Sequence, residues 1–147
     1  MLYPIYRAAA ICSLAVASTC FASDLDWPQW RGPDGSGITT SADVVTQFGP
    51  QQNVKWRIDL PEAGNSTPIV WGDRVFLTQA LSDTKERALI CLDRKTGSER
   101  WRRGVVYAAE EATHRTNPYC SASPVTDGEL VIAWFGSAGF VCPHSKI

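Results

Sequence analysis

Residues His114, Arg115, Thr116, Asn117, Pro118 and Tyr119 bring four kinds of reactive or hydrogen-bonding side chain into one short stretch. An imidazole that titrates near neutrality, a permanent guanidinium cation, an amide and a phenol can together grip a polar ligand. His114, Arg115, Asn117 and Tyr119 are therefore the candidate binding residues. The same groups can instead serve the loop's own backbone, since Asn and His side chains readily bond to nearby N–H and C=O groups. Both uses stay open at this point.

No catalytic residue is nominated. The stretch Gly32-Pro33-Asp34-Gly35-Ser36-Gly37 does not match the glycine spacing of a dinucleotide loop, and no glycine-rich loop ends in Gly-Lys-Ser/Thr. His114-Arg115-Thr116 lacks the Asp of a kinase catalytic loop, and no G-x-S-x-G nucleophile elbow occurs. Beyond residue 22 the cysteines are Cys91, Cys120 and Cys142, with no C-x-x-C pair and only His114 and His144 to assist, so no metal site is expected. Cys91 and Cys142 read as small buried hydrophobes on strands. A net charge of −1 offers no general attraction for nucleic acid or an anionic membrane surface. The cluster Arg100, Arg102, Arg103 reads as a solvated strand face.

The elements that must carry the loop form a repeat. Thr67-Pro68-Ile69-Val70-Trp71-Gly72-Asp73-Arg74-Val75-Phe76 aligns with Ser123-Pro124-Val125-Thr126-Asp127-Gly128-Glu129-Leu130-Val131-Ile132 at an offset of 56 residues. Leu89-Ile90-Cys91 is echoed by Phe140-Val141-Cys142 at 51, and Lys55-Trp56-Arg57 by Arg100-Trp101-Arg102 at 45. A unit that keeps its strands while its loops vary suits stacked blades.

In the first unit, strands are predicted over 67–70, 74–78, 88–93 and 99–103, with turns at 71–73 and 94–98 and a polar loop at 82–87. Gly97 can take the positive φ its turn requires. The second unit has strands at 123–126 and 130–135 and stops during a third. Four antiparallel strands make a propeller blade, so the fold class expected is all-β, with about one complete blade and one partial blade. Residues 104–120 read as an inter-blade loop, in which 108–113 could form a turn of helix. Closure usually takes 4–8 blades, so the chain is expected to be a truncated propeller, open and prone to associate through uncovered apolar surface.

Arg7 and the apolar run over 8–17 read as a secretory signal peptide over 1–22, because the run is too short to span a bilayer. Cys20-Phe21-Ala22 places small residues where cleavage needs them, and the mature chain would start at Ser23. Lipidation at Cys20 is a second option, weakened by the absence of a large aliphatic residue in Ala17-Ser18-Thr19. An exported chain, periplasmic or extracellular and without a membrane span, is expected. Residues 23–52 form a lead-in segment whose prolines exclude helix or central strand. Its indoles are expected on a neighbouring surface, with Arg31 free to stack on or near them. Residues 53–147 carry the repeats.

Two motifs resemble the PQQ-like β-propeller repeat proteins, a group that includes quinoprotein alcohol dehydrogenases. Leu92-Asp93-x-x-Thr96-Gly97-x-x-x-Trp101 is similar to that family's repeat ending, and Asp26-Trp27-Pro28-Gln29-Trp30-Arg31-Gly32-Pro33 to the opening of an exported subgroup. The resemblance runs from Asp26 to Cys142 and fails at Pro143-His144-Ser145-Lys146-Ile147. It implies that Asp93, Thr96, Gly97 and Trp101 dock consecutive blades, with Trp101 burying its ring between them. The function expected is a non-enzymatic binding or scaffold module, its partner an unidentified protein or small molecule, with no cofactor. The alternative is a fragment of a quinone-dependent dehydrogenase. PQQ and calcium belong only to that alternative, since such enzymes gather their ligands from many blades and usually bond adjacent cysteines, which this chain lacks.

Overall fold

The structure, a computed structural model, describes residues 25–143. The expected signal peptide, with Cys12 and Cys20, and His144 lie outside the described residues. Seven strands follow in order: β1 (Ile69–Trp71), β2 (Arg74–Leu81), β3 (Glu86–Asp93), β4 (Glu99–Val106), β5 (Val125–Thr126), β6 (Val131–Trp134) and β7 (Phe140–Val141). They form one four-stranded antiparallel sheet, β1-β2-β3-β4, and one three-stranded sheet, β5-β6-β7. Among the described residues there is no α-helix, and the sheets do not close into a ring. This is the all-β arrangement of one full blade and one partial blade.

The two hairpins share one register. Ile69 pairs with Phe76 and Val70 with Val75, while Val125 pairs with Ile132 and Thr126 with Val131. The third strands agree as well: Leu77 faces Ile90, and Ala133 faces Val141. Alternation of side chains then fixes which residues meet across each sheet.

One face of the first sheet presents Ile69, Phe76, Ala80, Leu89 and Cys91 to Cys120, Val131, Ala133 and Phe135 of the second unit, which makes an inter-sheet core. The other face presents Val75, Leu77, Leu81, Ala88, Ile90 and Leu92, with Val70 beside Val75, and Trp56 and Ile58 pack against it. Trp101 pairs with Cys91, just before a bulge that brings Glu99 opposite Leu92, and its ring lies 5.9 Å from that of Phe76. Trp101 thus joins the inter-sheet core.

The lead-in segment ties the units together. Trp27 exchanges two backbone hydrogen bonds with Val70, of 2.8 and 2.9 Å, and Thr126 N–H donates to the Pro28 carbonyl at 2.9 Å. The Arg31 guanidinium lies 4.9 Å from the Trp30 ring, but Trp30 stays exposed, so only Trp27 of the two indoles is partly buried.

Several expectations need correction. Strand β2 runs on through Gln79, Ala80 and Leu81, and β3 starts at Glu86, so the polar loop shrinks to residues 82–85. Gln79 is tolerated in the interior because its amide donates to the Glu62 carbonyl at 2.9 Å. Residues 108–113 form no helical turn. Cys142 is exposed, because it follows β7 on the face of the second sheet that nothing covers among the described residues. Arg100 is exposed, as expected, but is also paired, bridging Asp73 and Asp93, both at 2.6 Å, and Arg102 pairs with Glu99 at 2.7 Å.

Candidate binding site at the loop end

In an antiparallel meander, successive connections fall at alternate ends. The β1–β2 turn and the β3–β4 turn share one end. The 82–85 turn, the 107–124 connection and the Phe135–Gly139 connection share the other, here termed the loop end. All four candidate binding residues lie there.

The turn end holds Asp93, Thr96 and Gly97. Asp93 Oδ1 accepts from the Lys95 N–H (2.9 Å), the Thr96 N–H (2.9 Å) and the Thr96 hydroxyl (3.0 Å), and Gly97 N–H donates to the Asp93 carbonyl at 2.8 Å. The Arg100 guanidinium, followed by the Thr96 N–H, holds the Asp93 carboxyl well below the usual carboxylate range. Gly97 has φ +76°, and a Cβ there would lie 2.6 Å from Trp56 Cδ2. The indole seated on this turn is therefore Trp56, whose Nε1 donates to the Arg94 carbonyl at 2.9 Å. Trp101 stands elsewhere, against Phe76. Trp71 lies over Gly128 of the second hairpin in the same manner. The sequence motif groups Trp101 with this turn, and the echo of Lys55-Trp56-Arg57 in Arg100-Trp101-Arg102 is the signal that could have offered Trp56 instead.

At the loop end, His114, Asn117 and Tyr119 line a cleft of about 320 Å³, walled on the far side by Trp134 and Phe135. Arg115 is exposed and is not among the lining residues. His114 and Asn117 also brace the loop: Asn117 N–H donates to the His114 carbonyl at 2.8 Å, and His114 Nδ1 lies 2.8 Å from Thr116 Oγ1. The Tyr119 hydroxyl donates to the Glu111 carbonyl (2.7 Å) and accepts from the Glu111 N–H (2.9 Å). Asn65 Nδ2 donates to the Thr116 carbonyl at 2.7 Å. The Thr78 hydroxyl donates to the Cys120 carbonyl at 2.8 Å, anchoring the end of the connection to the buried strand β2.

Arg87 was not singled out from the sequence. It is 7% exposed, and its guanidinium carbon lies 3.4 Å from the centroid of the Tyr119 ring. No periodic signal marks such a pair, since the two residues meet only when the connection folds back over β3. Burial pushes the Cys91 and Cys120 thiols up to about 11, which leaves them poor nucleophiles at neutral pH. Among the described residues no group of three or more His, Cys, Asp or Glu side chains is placed to hold a metal ion, and no helix is long and apolar enough to cross a membrane.

No family profile matches the chain, and no solved structure matches it. The chain is 34% identical over 102 residues to polyvinylalcohol dehydrogenase of Pseudomonas sp, a match that covers 62% of this chain and 14% of that protein. This distant similarity, over part of the chain, is consistent with the resemblance to PQQ-like repeat proteins.

Proposed function

We propose that the chain is the blade-forming part of an exported β-propeller protein, which binds a small molecule or a protein through its loop end and performs no catalysis of its own. In this reading residues 23–52 are a lead-in segment and residues 53–147 the repeats. The observation that carries it is the cleft of about 320 Å³ shared by His114, Asn117 and Tyr119, polar groups from a braced loop set against apolar Trp134 and Phe135. Braced loops on a rigid sheet are a common way to hold binding groups in place. Export is supported by Arg7 and the short apolar run that follows it.

The similarity to polyvinylalcohol dehydrogenase favours a second reading, a portion of a quinone-dependent dehydrogenase. The described residues do not fit the PQQ–calcium group of that reading. A calcium cage takes 6–8 oxygen ligands, whereas the acidic side chains here assemble no cluster of three, and the sequence holds no adjacent cysteines.

Titrating the full chain with PQQ and calcium separates the two. The binding reading expects no bound-quinone absorbance and no dye reduction, together with ligand-induced NMR shifts at His114 and Asn117 in a small-molecule screen. Cofactor-dependent dye reduction would replace it with the dehydrogenase reading. Sequencing the N-terminus of secreted material tests export, with Ser23 expected as the first residue.

A further inference from the structure

We infer that Arg87 forms the floor of a carboxylate-binding subsite at the loop end, with the Tyr119 ring as its flat backing and Lys85 on its rim. Arg87 lies on β3 opposite Ala80 and Val105, and alternation turns it to the inter-sheet face that also carries Leu89 and Cys91. It is more than nine-tenths buried. Among the described residues the ion pairs involve Arg74, Arg100 and Arg102, and no side-chain hydrogen bond uses the Arg87 guanidinium.

A guanidinium has five N–H donors, and although the Arg87 side chain is largely buried, none of its nitrogens is cut off from solvent, so they stay open to an acceptor. The aromatic face of Tyr119 answers the charge but not the in-plane donors. Arg87 lines a cleft of about 200 Å³ together with Ser82, Lys85, Tyr107, Glu110 and Glu111. The ring cannot swing aside easily, because both its donor and its acceptor functions are engaged by the Glu111 backbone. The result is a planar fork, backed by a fixed ring, on the lining of a small cleft.

The ligand chemistry follows from shape and charge. A planar fork matches a carboxylate through two parallel N–H···O bonds. Glu110 and Glu111 on the wall offset the charges of Arg87 and Lys85, which disfavours a dianion such as phosphate relative to a monoanionic carboxylate. The inference shares Tyr119 with the binding reading above and rests on it only in placing a ligand at this end.

Acetate is the probe. In the ¹⁵N-labelled full chain, sodium acetate should shift the Arg87 Nε–H and Glu111 amide signals saturably, while sodium chloride at equal ionic strength should not. Followed at the Glu111 amide, Arg87→Lys should bind acetate about tenfold more weakly, keeping the charge but losing the fork. Should that variant fail to fold, Lys85→Gln, on an exposed side chain, is expected to weaken binding about twofold. Absence of a saturable acetate shift, an equal response to chloride, or unchanged affinity in the variant that folds would overturn the inference. So would a Glu111→Gln variant that alone reproduces the acetate-induced shift at Arg87, since Glu111 would then be a resident counterion. Because the readout sits at Arg87, failure here leaves shifts at His114 and Asn117 as a separate outcome.

Discussion

The two ends of the same four strands are built to opposite purposes. At the turn end Arg100 joins Asp73 and Asp93, Arg94 Nη1 donates to the Gly72 carbonyl at 3.0 Å, and Trp56 covers Gly97. At the loop end the long connection is held to the sheet at a few points, clefts open beside it, and the charged groups of Lys85, Arg87, Glu110 and Glu111 make no ion pair among the described residues. Strand pairing is common to both ends, so the difference lies in what the connections carry. Short turns that satisfy themselves add stability, and longer connections braced at a few points leave groups free to bind.

The sharpest way to break this contrast uses two glycines that share a left-handed backbone. Gly97→Ala at the turn end meets both backbone strain and the Trp56 ring, so it should cost about 3 kcal/mol in urea unfolding. Gly136→Ala at the loop end, with φ +64° and open space around it, should cost only about 1 kcal/mol. Equal costs would show that the turn end is no more tightly built than the other.

A smaller effect is expected at Tyr119. Removing its hydroxyl in Tyr119→Phe takes both hydrogen bonds from Glu111 and should loosen residues 107–118 by about 1–2 kcal/mol. Protease cleavage within that stretch should become faster, with the melting temperature of the whole nearly unchanged. A matching fall in global stability would mean that the loop and the sheets unfold as one unit.

The mildest test is by pH. The Asp93 carboxyl is held below its ordinary value in the folded chain, so its contribution is present above the unfolded value of about 4 and is lost as the pH falls. The melting temperature should therefore decline from about pH 5 downward, and less steeply in Asp93→Asn. Asp73 and Asp127, also held low, add residual slope in that variant. Identical slopes in the two proteins would remove Asp93 from the account of the turn end.

The hairpins were legible because Gly72 and Gly128 sit at turns between β-branched runs, and a repeat at a fixed offset multiplies a weak local signal. Strand β2 was read as ending at Thr78, just before Gln79, because such polar residues look like an exit to solvent. Their burial depends on carbonyls at Cys120 and Glu62, far along the chain in either direction. Cys142 was read as buried by analogy with Cys91, yet burial belongs to the neighbour that covers a face and not to the strand that presents it. His114, Asn117 and Tyr119 were found by composition alone. Arg87 was missed for the converse reason: it falls in the stretch 82–87 that reads as a polar loop, and only the start of β3 at Glu86 and the fold of the connection set a ring against it.

The shared register carries a consequence for how such a chain can change. Ala133 meets Val141 as Leu77 meets Ile90, although the two third strands differ in offset from the two hairpins, 51 against 56 residues. The difference lies in three rungs that only the first sheet has, Gln79–Ala88, Ala80–Arg87 and Leu81–Glu86, while the connection itself is four residues in the first sheet (82–85) and five in the second (135–139). The strands at that end can therefore lengthen or shorten by whole rungs, changing how far the surface projects, while the pairings nearer the turn end keep their partners.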